Sequence, residues 1–293
     1  MYPIILAHGI ARFDLLREKL AVEIGLPPNA VDDEFQYFRN VRKFLNANGY
    51  PEVFNTNVDF AGSLVLRSEQ LKVEVERTLR DTGAPKVHII GHSMGGLDAR
   101  RMIAELGMAD RVASLSTIGT PHLGTVLADQ VLSGGGRTMI AILQNAISLD
   151  LNGFSDLTTG RCADFNERHE DAEARNPVVY RTYSSSQHAG DVFLPLLASW
   201  FAIDRTDGAN DGLVSVRSQR WKPALVAADG TTKTIAQLPF PIPADHLNQV
   251  GWWDWEEAVS PLFGGSYANQ RRAFEMTVKS FYLDLVRDVE HIV

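Results

Sequence analysis

The chain has 293 residues, 45% hydrophobic and 22% charged, which is the composition of an ordinary soluble globule with enough material for a large core. A formal charge of −8 without any Lys/Arg cluster excludes a nucleic-acid footprint, and no apolar run approaches the length of a membrane span. A single cysteine, Cys162, excludes an intramolecular disulfide and a thiolate metal cage.

The opening "MYPIILAHGI" has neither the basic start nor the long apolar stretch of a signal peptide. The expectation is a cytoplasmic protein, or a secreted one in mature form with its leader removed. Within it, Tyr2 to Gly9 is a short apolar run closed by glycine, which suits a strand buried on both faces. "FQYFRNVRKFLNANGY" places Phe38, Val41, Phe44 and Leu45 at helical spacing before an Asn48-Gly49 stop. "EVFNTNVDF" reads as a strand and "SLVLRSEQLKVEVERTLRDTG" as an amphipathic helix closed by glycine. "KVHIIGH", "MGGLDARRMIAELG" and "RVASLSTIGTP" continue as strand, helix, strand. Such alternation predicts an α/β chain with a mostly parallel sheet covered on both faces.

From 121 to 175 the pattern changes to helical spacing interrupted by Ser133-Gly134-Gly135-Gly136. It returns to a strand in "NPVVYRTYSSS", so the segment reads as an insertion within one domain spanning 1–293. The final "NQRRAFEMTVKSFYLDLVRDVEHIV" sets Phe274, Val278, Phe281, Leu285 and Val289 on one helical face, to pack on the sheet.

Gly91-His92-Ser93-Met94-Gly95 fits G-x-S-x-G between a strand and a helix. The five-residue pattern alone is weak. Its context is strong, because a strand-to-helix turn that exposes a hydroxyl leaves no space for neighbouring side chains, and Gly91, Gly95 and Gly96 provide that space. A serine nucleophile needs a base, and the base a carboxylate to hold its tautomer, in the chain order Ser, Asp or Glu, His.

Eight histidines compete for the role of base. His8 and His92 flank the serine loops and are expected to shape them. His88 alternates within a strand, His122 is expected near the pocket mouth, and His169, His188 and His291 read as solvent-exposed. His246, in the late loop "IPADHLNQVGWW", has the right chain position. For the acid, "TDGANDGLVSV" offers Asp211, in a turn before the apolar "LVSV", with Asp207 as runner-up. Asp98 and Asp110 lie too near the nucleophile helix, and Asp245 adjoins the histidine and points elsewhere. Two backbone donors should face the developing oxyanion, the N–H of Met94 and that of Ile10 in the loop after the first strand.

These segments together resemble the true bacterial lipases of the Pseudomonas, Burkholderia and Proteus type, members of the α/β-hydrolase superfamily. "YPIILAHGIARFD" is similar to the opening strand and oxyanion loop, "LRSEQLKVEVERTL" to the Arg-x-x-Gln-Leu helix, and "KVHIIGHSMGG" to the nucleophile elbow. "DLTTGRCADFNERH" resembles the segment after the lid, "NDGLVS" the acid loop and "DHLNQV" the histidine loop. The resemblance implies Ser93, Asp211 and His246 as triad, Ile10 and Met94 as oxyanion hole, and triacylglycerols or other long-chain esters as substrates. A short-chain esterase or polyester hydrolase with the same triad is the close alternative, and a non-catalytic binding protein of the same fold the more distant one.

The chain departs from these lipases in lacking their disulfide and in a shorter histidine loop. The resemblance also implies a calcium ion pinning that loop, with Asp191 and the Gln249 carbonyl as ligands and Asn248 where a second carboxylate would stand. Calcium affinity rises with the number of charged ligands, so the expectation is a structural ion that is weak or absent, and catalysis without metal. Finally, Val126, Leu127, Val131, Met139, Ile142, Leu143 and Ile147 suggest a helical lid over 125–152, meeting lipid when open.

Overall fold

Strand β1 (Ile4–Ala7) is apolar and buried at all four positions, as a strand covered on both faces must be. It lies within a computed structural model that describes residues 1–10, 36–60, 62–134, 151–252 and 266–292. Five further strands join it: β2 (Val53–Asn55), β3 (Val87–His92), β4 (Val112–Ile118), β5 (Val179–Ser184) and, in the second half, β8 (Ala236–Pro239). Every pairing is parallel, in the order β2-β1-β3-β4-β5-β8, with Ile5 opposite Ile89 and Ile90 opposite Ser116. A separate antiparallel pair joins β6 (Ala224–Val226) to β7 (Thr232–Thr234).

Period-two alternation along the strands divides the core. Ile4, Leu6 and Ile90 face one side, where they meet Val41 and Leu45 of α1 (Val41–Ala47) and Val278, Tyr282 and Leu285 of the C-terminal helix. Ile5, Ala7, Ile89 and Leu115 face the other. There Leu71 and Val75 of α2 (Leu64–Thr82) and Ala99, Met102 and Ile103 of α3 (Met94–Glu105) cover them. Each of these large aliphatic side chains contributes about 1.5–3 kcal/mol when fully removed from water. Helix α2 starts where the Ser63 side chain accepts from Leu66 N–H and stops at Gly83, whose φ of 70° favours glycine.

Chain order continues through α4 (Val126–Leu132), the short α5 (Leu151–Phe154) and α6 (Thr159–Arg175). Then come α7 (Leu197–Asp207), α8 (Val216–Arg220) and the C-terminal α9 (Ser266–Val289). The expected apolar face of α9 is buried at Val278, Phe281, Leu285 and Val289, with Phe281 edge-on to Tyr183 of β5.

Helix α6, at the end of the 121–175 segment, lies between β4 and β5 in chain order and is fastened to α3. Arg100 donates to both oxygens of Glu173 at 2.7 and 2.8 Å, and its guanidinium lies 3.7 Å from the Trp221 ring centroid. The apolar "LVSV" is not a strand; Asn210–Ser215 is a tight loop, and Val216 begins α8. Conversely, the short, proline-ended β8 completes the sheet without an apolar run to announce it. Of the expected lid positions, Leu127 and Val131 are buried among the core residues and Val126 packs against them. Met139, Ile142, Leu143 and Ile147 lie outside the described residues. Among the described residues no helix is long and apolar enough to cross a membrane.

Candidate active site

Parallel strands bring the loops after β1, β3, β4 and β5 to one edge, where open α/β sheets place their ligands. β3 ends at His92 and α3 begins at Met94, so Ser93 alone makes the turn. Its φ of 56° and ψ of −133° are sterically costly for a residue with a Cβ, and costs of that kind persist only where the surroundings impose them. The surroundings do. Ser93 N–H donates to Ile118 O at 3.0 Å, and its carbonyl accepts from the Thr120 hydroxyl at 2.8 Å. A Cβ on Gly95 would stand 2.3 Å from Ala7 O, so only glycine lets the helix start pass this close to β1.

Asp211 and His246 meet in this cluster. His246 Nδ1–H donates to Asp211 Oδ2 at 2.8 Å, and His246 N–H donates to Asp211 O at 2.8 Å, so the two loops are tied twice. The fully buried carboxylate also accepts Leu213 N–H at 3.0 Å and Val214 N–H at 2.8 Å on Oδ1. A donating Nδ1 leaves Nε2 as the unprotonated nitrogen, the state a general base requires. Asp207 is elsewhere: it accepts from the Ser215 hydroxyl at 3.0 Å and pairs with Arg217. Asp245 does point away from the site, accepting backbone N–H bonds from Leu247, Asn248 and Phe193 at 2.9 Å each. Burial nevertheless pushes its carboxyl up to about 6.

The loop after β1 presses on the serine. A Cβ on Gly9 would lie 2.7 Å from Ser93 Cβ and 3.0 Å from its Oγ. Ile10, next in the chain, is buried, and its Cγ2 and the Met94 sulfur both lie beside Gly153 of α5. Arg67 of α2 holds the loop from behind: Nη2 donates to His8 O at 2.6 Å and Nη1 to Gly9 O at 3.4 Å. Asp98 of α3 holds Arg67 in turn, accepting Nε at 2.9 Å and Nη2 at 2.6 Å, and burial pushes its carboxyl up to about 6 despite that partner.

Two histidines sit differently from expectation. His122 is fully buried, stacked on Trp221 at 4.8 Å and bonded to Thr117. His169 is buried beside Glu105 at 2.9 Å. Both serve the Arg100 brace or its flank, where a ring offers planar contact and a polar edge together. His8 and His92 do shape the serine loops: His8 stacks on Phe60 at 4.1 Å, and His92 bonds Tyr37 and Gln249.

The residues offered for calcium do not fit it. Asp191 is exposed, and the Gln249 carbonyl already accepts the Tyr282 hydroxyl at 2.9 Å. Asn248 Oδ1 accepts Asp245 N–H at 3.2 Å, and the Asp245 carboxylate is engaged by its three backbone donors. Among the described residues no group of three His, Cys, Asp or Glu could hold a metal ion.

Sequence reasoning did not find Tyr37, the Asp98 partnership or the Gln249 side chain. Each is an ordinary residue type whose role comes from contacts across long stretches of chain. Arg67 alone had a signal, in its Arg-x-x-Gln-Leu setting.

A family described as a PGAP1-like alpha/beta domain matches residues 63–137, which include the serine turn. A triacylglycerol lipase of Vibrio cholerae is 36% identical over 247 residues, covering 74% of this chain and 73% of that protein. A triacylglycerol lipase of Pseudarthrobacter phenanthrenivorans is 33% identical over 220 residues, covering 68% of this chain but 63% of its own length. The chain thus spans less than two thirds of that relative. In fold, a metagenomic carboxyl esterase superposes with a TM-score of 0.63 at 15% identity, covering 100% of this chain and 76% of its own.

Proposed function

The chain belongs to the triacylglycerol lipase family of the α/β-hydrolase fold, and on that premise we propose that it hydrolyses carboxylic esters through an acyl-serine intermediate on Ser93. The observation that carries the reading is the strained Ser93 turn set in the same loop cluster as the buried Asp211–His246 hydrogen bond.

In this mechanism Ser93 Oγ attacks the ester carbonyl while His246 Nε2 takes its proton. Asp211 holds the imidazole by Nδ1 and stabilises the imidazolium that forms. The tetrahedral oxyanion accepts hydrogen bonds from the backbone N–H groups of Ile10 and Met94, which require no reorganisation when charge develops. His246 then protonates the departing alkoxide. Water repeats the sequence on the acyl-serine, with His246 as base, and releases the acid. The reaction uses no metal. Long-chain glycerides are the proposed substrates, supported by the family; exposed Leu132, Leu194 and Phe201, on or beside α4 and α7, would meet a lipid surface.

The test is turnover of p-nitrophenyl esters from acetate to palmitate, with emulsified triglyceride alongside, plus fluorophosphonate labelling. Ser93→Ala should lose both label and turnover, by about 10⁶-fold for the latter. Labelling of Ser93 with turnover confined to the shortest esters would favour the esterase reading. No label at all would favour a binding protein.

A further inference from the structure

The buried side chain of Gln249 joins two groups that the mechanism above leaves unconnected. Its Nε2 donates to Asp211 Oδ2 at 2.8 Å and to Ser185 Oγ at 2.7 Å, while its Oε1 faces His92 Nε2 at 2.9 Å. The orientation of the amide is forced. An ionised carboxylate only accepts, so the nitrogen must face Asp211, and the oxygen then demands a proton on His92 Nε2. His92 Nδ1 is consequently an acceptor, and it takes the Tyr37 hydroxyl at 2.6 Å. Burial and the neighbouring His246 ring keep His92 well below the usual imidazole range, so one neutral tautomer serves throughout.

The amide makes three hydrogen bonds, with both N–H donors used, and its main chain is clamped as well. Gln249 N–H donates to Asp245 O at 3.2 Å, and its carbonyl accepts the buried Tyr282 hydroxyl of α9 at 2.9 Å. A Cβ on Gly119 would fall 2.1 Å from Gln249 Oε1 and 3.3 Å from Asp211 Oδ2. Gly119, just after β4, thus leaves the amide the space that a side chain there would fill.

We infer that Gln249 is a positioning residue of the proposed ester hydrolysis, coupling the elbow histidine His92 to Asp211 so that one carboxylate oxygen is held toward His246. Asp211 Oδ2 carries two donors, His246 and Gln249. Backbone N–H groups of Leu213 and Val214 fix Oδ1; without the amide, Oδ2 keeps the His246 bond but loses the fixed donor that sets its distance and angle to the imidazole. The role concerns the chemical step and not substrate binding, since the amide is buried behind the triad.

The inference rests on the proposed function, and the experiment separates the two. Wild type, Gln249→Leu, His92→Phe, the double variant and Ser185→Ala are assayed on p-nitrophenyl butyrate, with active sites counted by fluorophosphonate titration. Gln249→Leu should lower kcat per titrated site by about 10–100-fold, the usual scale for groups that orient a catalytic side chain, with KM within about twofold. Ser185→Ala, which removes one of the amide's three anchors from a small side chain, should lower kcat per site several-fold even if the leucine variant does not fold. The double variant should be no worse than the poorer single one, because both cut the same chain. Unchanged kcat per site in Gln249→Leu, or in Ser185→Ala where the former cannot be purified, would overturn the positioning role. So would multiplying effects of Gln249→Leu and His92→Phe. Failure of wild type to label at Ser93 or turn over ester would instead overturn the proposed function.

Discussion

Replacing Arg67 by methionine separates two consequences of one buried ion pair. Arg67 and Asp98 are both buried, and Asp98 Oδ2 takes two of the guanidinium bonds. Asp98's folded pKa of about 6 lies above its ordinary 3.8, so charging this group costs stability as pH rises from about 4 to 6. The intact pair is therefore no large source of stability. Removing one member is different, because it leaves a buried carboxylate without its cation, a loss of about 3–5 kcal/mol. That corresponds to a melting temperature lower by about 5–8 °C for a chain of this size, measured by calorimetry at pH 8, where the carboxylate is charged. Adding Asp98→Leu should recover most of the loss, since no orphan charge remains. Activity should not recover. Arg67 also donates to the carbonyls of His8 and Gly9, and an oxyanion donor displaced by about 1 Å costs on the order of 10²-fold in kcat. Parallel recovery of melting temperature and kcat in the double variant would show that the guanidinium does not hold the oxyanion loop.

Asp211→Asn should lower kcat by about 10⁴-fold while Asp207→Asn stays within a few-fold of wild type; the reverse order in steady-state assays would move the acid to Asp207. Cys162 is buried, its thiol facing the carbonyls of Pro121 and Asp156, and burial pushes its pKa up to about 12. Iodoacetamide at pH 8 should therefore leave the native protein unmodified and alkylate it fully in denaturant, with mass spectrometry as readout. Because Tyr282, Asp245 and backbone N–H groups occupy the histidine-loop oxygens, melting curves should be the same with calcium and with EDTA. A drop of many degrees on chelation, reversed by calcium, would show a tight ion in this loop.

Local sequence was enough for whatever depends on adjacent residues. The apolar run of β3, the lone Ser93 and the glycines after it announce a strand, a sharp turn and a helix, because backbone sterics act over a few residues. The cap Ser63 and stop Gly83 bracket α2 for the same reason. The pairing of Asp211 with His246 was also legible, through chain order and the loop composition around each. Tertiary structure decided the rest. Whether Asp98 is an idle helix carboxylate or the clamp on Arg67, whether His122 lines a mouth or stacks on Trp221, and where calcium-like oxygens spend their lone pairs are questions of which side chains meet. Gln249 and His92 stand 157 residues apart, and a glutamine has no local signature that tells a surface amide from a buried one. Its partners are set by sheet order and by α9 packing on its carbonyl. The Ser93 turn was therefore readable in the chain, while the groups that hold Asp211 and His246 in place became visible only once the chain had folded.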